Sequence, residues 1–463
     1  MKIGNIYNII LSIMFINLSL NGTSLRDAVK ETINTNPDII AEHFNKKASR
    51  TNIEEQQRDY NPTVDFSMYV EDSTTYNDPD NAVKNSASKD GFNANVKIEQ
   101  VLYDGGVTPN EVELYKHRYQ NVKYTSKDTV EDLILQVINV YTKLVSYQEL
   151  VALDNYKIKI HEEYLKKAQA KEKISGEILD SYQVSSKIKA IMDNYLTQEV
   201  DRQKAYSNYK KLTGEDLKGN ICKPVLNEKL IPKTIDKAIE IALRNNTKIK
   251  AQKALINEQM AQARISDAKF RPTLKFQLEG LWDNDLQLPE NGEQDIYRAR
   301  LESTWNLYNG GKDDVASQRE RIVILQQKKI LDSITNSVID KIKGSYNTYF
   351  KIKKRIENMK LFVEDNKKIV DIYNQQLTDG SRTFLDMLNA EAELFRTKVL
   401  LIQLQFSQYD EYYNILRSMN VLSDAILNDK NQVCGKYVFD DTRIIKEEKQ
   451  MSEEELSKQL GLE

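Results

Sequence analysis

Four short segments of the chain alternate between apolar and polar residues. In the first of them, every second residue from Val64 to Val70 is apolar. A period of two residues is typical of a β-strand with one apolar and one polar face. Each segment has about ten residues, which is enough for a tilted strand to cross a bilayer. The pattern predicts two β-hairpins, over 63–103 and 273–308, although alternation alone would also fit a soluble sheet that is packed on one face.

Each predicted hairpin is followed by a long stretch with helical periodicity. From Val107 to about Ala170 there is no glycine, and the one proline, Pro109, lies in the first turn, where it is tolerated. Apolar residues repeat at a spacing of three and four along two adjacent seams, which indicates neighbours on both sides of the helix. Such a helix is roughly 95 Å long at 1.5 Å per residue. A matching stretch runs from Lys312 to about Thr378, and a return helix follows each long helix.

These features belong to two copies of one sequence unit. The segment 102–106, Leu-Tyr-Asp-Gly-Gly, returns as Leu-Tyr-Asn-Gly-Gly at 307–311, and other matches keep the same order. The repeat length is too long for a solenoid unit. We predict a first structural repeat over 24–233, a second over 234–440, and a charged C-terminal tail over 441–463.

The composition and the absence of certain motifs exclude several classes of protein. The 66 basic and 69 acidic residues give a net charge of −3, without the basic excess of a nucleic-acid-binding protein. The 16 glycines and 8 prolines are few for this length, which favours long elements. Two cysteines cannot form a four-thiolate metal site, and the three histidines include no H-E-x-x-H motif. The chain also lacks a P-loop and a G-x-S-x-G motif, so we expect no enzyme activity, cofactor or metal.

Residues 1–23 have the pattern of a secretory signal peptide. Lys2 provides a positive charge, residues 9–16 are mostly apolar, and small polar residues end the segment. The apolar run is too short for a spanning helix. An N-terminal membrane anchor remains the alternative, and export from the cytoplasm is the prediction.

The number of predicted strands determines the expected assembly. Four strands cannot close a barrel, and unpaired strand edges are not tolerated in lipid. Two chains would supply eight strands, whose interior is filled by side chains, whereas three would supply twelve and leave a lumen. The polar strand faces require water. The sequence therefore predicts a mainly α protein with a membrane β part, in which a homotrimer shares a twelve-stranded barrel above long helices.

Three motifs resemble those of the TolC-like outer-membrane efflux and type I secretion proteins. They are Ser-Leu-x-x-Ala-Val followed by Asn-Pro within 24–37, Gln-Val-Leu-Tyr-Asp-Gly-Gly at 100–106, and Gly-Ser-Arg-Thr-x-Leu-Asp-x-Leu-Asn-Ala at 380–390. The resemblance implies a channel in the cell outer membrane with a large periplasmic tunnel. It implies an exit duct for type I protein secretion or small-molecule efflux, with an inner-membrane transporter and a periplasmic adaptor as partners.

The same resemblance implies a constriction, or gate, at the turns between the long helices. By motif, Arg382 takes the position of the gate arginine, Asp386 that of an acidic ring, and Asp180 that of a carboxylate from the first copy. Two residues depart from the family pattern, because Leu377 replaces a tyrosine and Asn389 replaces a second aspartate. These departures predict a less tightly held and less electronegative constriction. The alternative is that Arg382 and Asp386 are ordinary surface residues at a helix N-terminus, where the helix dipole favours a carboxylate.

Cys222 and Cys434 follow the return helices of the two copies in comparable linkers. In an oxidising periplasm they can form a disulfide that ties the two linkers together. Two free, partly buried thiols are the alternative.

A second function is compatible with the signal peptide and long helices. A periplasmic coiled-coil adaptor or scaffold without a pore would share both features. The two hairpins discriminate between the readings, because an adaptor has no need of apolar strand faces of membrane height. The channel is therefore the prediction, and the residues do not specify its cargo.

Overall fold

The computed structural model describes most of the chain. The described residues are 23–77, 85–218, 220–286, 292–428 and 434–437. The predicted signal peptide, apart from its last residue, and the predicted tail at 441–463 lie outside these ranges.

The elements follow the same order in both halves of the chain. The first half contains α1 (Leu25–Thr35), α2 (Pro37–Gln56), β1 (Thr63–Asn77), β2 (Asn85–Tyr103), α3 (Val107–Ser175) and α4 (Leu179–Thr213). The second contains α5 (Ile235–Asn245), α6 (Thr247–Ala268), β3 (Thr273–Asn284), β4 (Glu293–Thr304), α7 (Lys312–Thr378) and α8 (Phe384–Ser418), and is followed by α9 (Leu422–Leu427). This is the predicted order of helices, strand pair, long helix and return helix.

The motif at the end of β2 turns the chain from strand to helix. One carboxylate oxygen of Asp104 accepts a hydrogen bond from the Gly106 amide at 2.9 Å, and the other accepts one from the Thr108 amide at 2.6 Å. Gly105 and Gly106 have φ values of 75° and 93°, in the left-handed region that favours glycine. A Cβ at Gly105 would also lie 2.7 Å from the Ala268 carbonyl oxygen. The motif is therefore a tight turn with a side-chain cap for α3.

The structure places several element ends at different residues from those predicted. Strands β1 and β2 have 15 and 19 residues instead of about ten. Helix α3 continues to Ser175 instead of about Ala170, and β4 ends at Thr304 although the alternating pattern reaches 308. After β4 the side chain of Asn306 accepts a hydrogen bond from the Tyr308 amide at 3.2 Å. This local turn leads the chain toward α7 and ends the strand. The apolar residue Leu307 still fits the alternating sequence pattern, but it lies beyond the end of β4.

The four strands form one antiparallel sheet in the order β1-β2-β3-β4. Val64 of β1 is paired with Ile98, Ile98 with Leu278, and Leu278 with Ala299, so an apolar row crosses all four strands. On β1 the side chains of this face are well exposed in the single chain, at 67% for Val64 and 74% for Val70. Large apolar side chains without cover indicate contact with lipid or protein. One apolar and one polar face are as predicted.

The opposite face of the sheet carries charged rows. Lys97 is paired with Glu279, and Glu279 with Arg298. The Arg298 guanidinium donates to Glu279 at 3.2 Å, and Lys275 donates to Glu99 at 2.7 Å. Charges of both signs therefore alternate along this face, as expected of a surface that faces water.

The described residues form two compact units, and each unit takes segments from both halves of the sequence. One unit contains the residues of 37–130 and 239–341, including the sheet. Its helices pack through a small cluster of Leu114, Ala261 and Ile265. The other unit contains the described residues up to 36, the residues of 131–238, and those from 342 onward. This second unit holds both turns between long and return helices.

Within the described residues, no helix has the length and apolar character required to cross a membrane.

Candidate functional site

The two turns between long and return helices each contain one glycine with left-handed geometry. Gly176 lies between α3 and α4 with φ 75°, and Gly380 lies between α7 and α8 with φ 74°. A Cβ at either position would have no neighbour within 4 Å among the described residues. The backbone conformation, and not lack of space, is the reason for glycine at these positions.

A buried apolar cluster, here called the tip core, packs the two turns together. Tyr164 and Ala168 come from α3, Val184 from α4 and Val370 from α7, and α8 contributes Phe384, Met387, Leu388 and Leu394. Met387 and Ala168 are fully buried. Because all four helices contribute, the tip core fixes the position of the polar residues around it.

Asp180 binds a lysine of its own hairpin. The Lys171 ammonium donates to Asp180 at 2.8 Å and also lies 3.1 Å from Glu177. The hydrogen bond to Asp180 is the main cause of a raised pKa of Lys171. The Asp180 side chain is 16% exposed. In a single chain this carboxylate therefore pairs with the end of α3 across the first turn.

Arg382 binds two residues in the last turns of α7. Its Nε atom donates to the Gln376 side-chain oxygen at 2.9 Å. Its guanidinium carbon lies 4.5 Å from the centre of the Tyr373 ring. A guanidinium at this distance from an aromatic ring gains a cation–π attraction. Arg382 is therefore fixed against the α7 side of the turn.

Asp386 is the second member of the capping box at the start of α8. The Thr383 side chain accepts a hydrogen bond from the Asp386 amide at 3.2 Å, and the Asp386 carboxylate accepts one from the Thr383 hydroxyl at 2.9 Å. The Thr383 backbone amide also donates to this carboxylate, at 3.3 Å, which completes a capping box. The bond from the Thr383 hydroxyl is the main cause of a lowered pKa of Asp386. Asp386 is therefore ionised, and its carboxylate is already bonded to its own helix.

The three predicted gate residues lie in the same unit but are not bonded to one another. Among the described residues, no hydrogen bond or salt bridge joins Asp180, Arg382 and Asp386. Arg382 does contribute to the lowered pKa of Asp386 through its charge. Within one chain, the contacts of Asp386 are those of a surface residue at a helix N-terminus. A ring of carboxylates requires further copies of the chain.

The structure adds residues that the sequence did not single out. Tyr373 supplies the aromatic ring for Arg382, whereas Leu377 packs against the tip core. The aromatic partner is thus one helical turn before the position where the family pattern places a tyrosine. Thr383 and Asp386 have the capping-box spacing, so that signal was present in the sequence. Lys171 had no comparable signal, because it reaches Asp180 across a turn.

The two cysteines are joined in the structure, with a sulfur–sulfur distance of 1.99 Å. The bridge belongs to a group here called the linker cluster, formed by Thr23, residues 221–223 and residues 434–437. The Gly435 amide donates to the Lys223 carbonyl at 2.8 Å. The fully buried Tyr141 places its hydroxyl 2.7 Å from the Thr23 carbonyl oxygen and 2.6 Å from that of Cys222. The start of the described chain, the linker between the copies and a C-terminal segment therefore meet at one place.

The described part of the chain contains no group of three or more histidine, cysteine, aspartate or glutamate side chains that could hold a metal ion.

Solved structures of outer-membrane channels have the same fold. The Campylobacter jejuni CmeC outer membrane channel has a TM-score of 0.73 at 14% identity, over 87% of this chain and 86% of that chain. The Vibrio cholerae outer membrane protein VceC has a TM-score of 0.73 at 12% identity, over 86% and 96%. The Neisseria gonorrhoeae MtrE outer membrane channel has a TM-score of 0.68 at 13% identity, over 86% and 88%.

The sequence itself matches a family profile in both halves. No curated protein sequence matches the chain significantly. The profile of the outer membrane efflux protein family matches residues 28–215 and again residues 238–421. These two stretches make up most of the 463 residues. The chain therefore belongs to the outer membrane efflux protein family and is a channel of the outer membrane.

Proposed function

We propose that three copies of the chain share one twelve-stranded barrel, which the long helices continue as a periplasmic tunnel. The sheet is the observation that supports this most directly. Strands β1 and β4 are its edges, one face is apolar, and the other carries rows of both charge signs. Lipid requires that the edge strands find partners, and twelve strands leave room for water.

The tunnel serves as an exit duct for type I protein secretion or for small-molecule efflux. Its partners are an inner-membrane transporter and a periplasmic adaptor. The family is one of channels, so the alternative of an adaptor or scaffold without a pore is not supported. The same family membership supports the absence of enzymatic activity. The sequence copies over 24–233 and 234–440 are also part of the proposal, and each contains one of the stretches that match the family profile.

The turns form the periplasmic gate of this duct. In a trimer the three Asp386 carboxylates make a ring that attracts cations, while Arg382 and Asp180 hold their turns in place. The capping contacts support this role, because they keep Asp386 ionised at the start of α8. Asn389 in place of a second aspartate leaves one ring of this kind on α8.

Removal of the Asp386 charge should lower cation selectivity. Asp386→Asn keeps an oxygen that can accept the hydrogen bonds from Thr383, whereas Asp386→Ala also removes one half of the capping box. Both variants should reduce the cation-to-anion permeability ratio of single channels in planar bilayers. Asp365→Asn is the matched control, because Asp365 is an exposed carboxylate on α7. An unchanged ratio in Asp386→Asn would show that the ring assignment is wrong.

The first turn has an exposed apolar surface that suits an adaptor. Ile174 is 89% exposed, and the side chains of Ile178, Leu179 and Tyr182 are also more than half exposed. Exposed apolar side chains around one turn are typical of protein–protein contact sites. We therefore place the adaptor contact at these four residues.

Photo-crosslinking in living cells tests this contact. A crosslinking amino acid at Ile174 should capture a periplasmic adaptor, identified by mass spectrometry. The same amino acid at Val200, an exposed residue further along α4, should capture much less of it. Equal capture at the two positions would contradict the proposed contact.

A further inference from the structure

A buried carboxyl group lies in the helix layer next to the tip core. Glu391 of α8 is 3% exposed. Its Oε1 atom accepts a hydrogen bond from the Tyr164 hydroxyl at 2.9 Å. Its Oε2 atom has no hydrogen-bond partner among the described residues. A buried carboxylate oxygen without a partner is unfavourable when the group is ionised, and much less so when it is protonated.

Two lysines lie near Glu391, and both also contact an aromatic ring. The ammonium groups of Lys157 and Lys398 lie 5.1 and 5.2 Å from the centre of the Phe395 ring. Both charges lower the pKa of Glu391, but desolvation by burial is the largest effect and raises it. The proton is therefore bound more tightly in the folded tip than in an unfolded chain.

We propose that Glu391 is a proton-dependent latch of the tip core. In its protonated form the carboxyl group fits between α3 and α8, and these helices pack firmly. When it loses the proton, a buried charge with one unbonded oxygen loosens the same packing. Through Glu391, acid therefore tightens the packing of these helices and neutral pH loosens it. The effect of Glu391 on helix packing does not depend on the proposed function. Any effect of this packing on the opening of the duct does rest on it.

The sign of the effect follows from the raised pKa. A carboxyl group whose folded pKa lies above its unfolded value stabilises the fold at low pH, and this stability is lost as the pH rises through the unfolded and then the folded value. Burial raises the pKa of the nearby Asp154 to about 6, which acts in the same direction. Burial lowers the pKa of His161 to about 4, so that histidine opposes the effect by destabilising the fold as the pH falls below its usual value.

Other charged groups surround this site and determine how the experiment must be designed. The charged or titratable groups that act on Glu391 or on its charged neighbours include Asp154, Tyr156, Lys157, His161, Glu163 and Tyr164 of α3, Lys187 of α4, Lys367 of α7 and Lys398 of α8. Because some of them oppose Glu391, the pH dependence of the intact protein is a sum. The contribution of Glu391 is the difference between the protein and a variant that lacks its charge.

Hydrogen exchange of the full-length protein in detergent measures this difference. Amide protection over 384–395 is compared at about pH 4.5, near the usual pKa of a glutamate, and at about pH 7.5, after correction for intrinsic exchange rates. We expect the protection of Glu391→Gln relative to the unchanged protein to rise severalfold between the two pH values. Glu393→Gln is the matched control, since Glu393 lies two residues away, is only partly buried and pairs with Arg396 at 2.5 Å. This control should show no such rise.

A ratio for Glu391→Gln that does not change with pH would overturn the proposal, and so would an equal rise in Glu393→Gln. If Glu391→Gln fails to fold, Tyr164→Phe provides the second test. It removes the hydrogen bond from the Tyr164 hydroxyl to the carboxylate and should make protection fall more steeply with rising pH than in the unchanged protein. An unchanged slope in Tyr164→Phe would contradict the latch. None of these readouts requires the protein to conduct.

Discussion

Replacing Lys223 with methionine should destabilise the protein by about 3–5 kcal/mol, because it removes one member of a buried ion pair. The Lys223 ammonium lies 2.6 Å from a Glu149 oxygen, and the two side chains are 4% and 1% exposed. It also donates to the Gln405 side-chain oxygen at 2.8 Å. The variant takes this positive charge away from a buried carboxylate. A markedly lower midpoint of thermal unfolding in detergent is the expected measurement.

An exposed ion pair in the same unit provides the control. Lys353 lies 2.7 Å from Glu228, but these side chains are 36% and 57% exposed. Exposed pairs contribute about 0–1 kcal/mol, so Lys353→Met should change the midpoint little. Adding Glu149→Met to Lys223→Met should restore much of the lost stability, because an apolar pair can replace a buried ion pair. Similar losses in Lys223→Met and Lys353→Met would contradict this account of the buried pair.

Loss of the Cys222–Cys434 bridge should lower the stability of the folded chain by about 2–4 kcal/mol. The two residues are 212 positions apart, so the bridge closes a long loop of the unfolded chain. Cys222→Ser, Cys434→Ser and the double variant should therefore lose similar amounts. A thiol reductant should lower the unfolding midpoint of the unchanged protein and leave that of the double variant in place.

A thiol count separates the bridge from its alternative. Unfolded protein that was never reduced should contain no free thiol if the bridge forms in the cell. Two free thiols per chain would mean that the cysteines remain unpaired. Because Lys223 follows Cys222 directly, the bridge and the buried ion pair share one segment, and their combined loss should not be additive.

The regular elements could be predicted because their signals are local. Alternation over 64–70 is enough to predict a strand, and the absence of glycine after Pro109 is enough to predict a long helix. The end of β4 could not be placed, because the apolar residue Leu307 continues the alternation beyond the turn at Asn306. Strand ends depend on hydrogen-bond partners that periodicity does not report.

The contacts of the candidate gate were only partly predictable. The motif led to Arg382 and Asp386, but the ring that Arg382 contacts belongs to Tyr373.

Lys223 and Glu149 are 74 residues apart, and no local pattern indicates that they pair. Glu391 did have a signal, because it lies in the apolar stripe of α8, three residues after Leu388. A charged residue in such a stripe marks a buried polar site, but its partner Tyr164 is known only from the fold.

The mass of the intact detergent-solubilised particle tests the central claim most directly. A shared twelve-stranded barrel requires three chains, because two would leave an eight-stranded barrel whose interior is filled by side chains. Native mass spectrometry should therefore give a particle with three times the mass of the processed chain. A particle of one or two chains that still inserts into lipid would contradict the shared barrel.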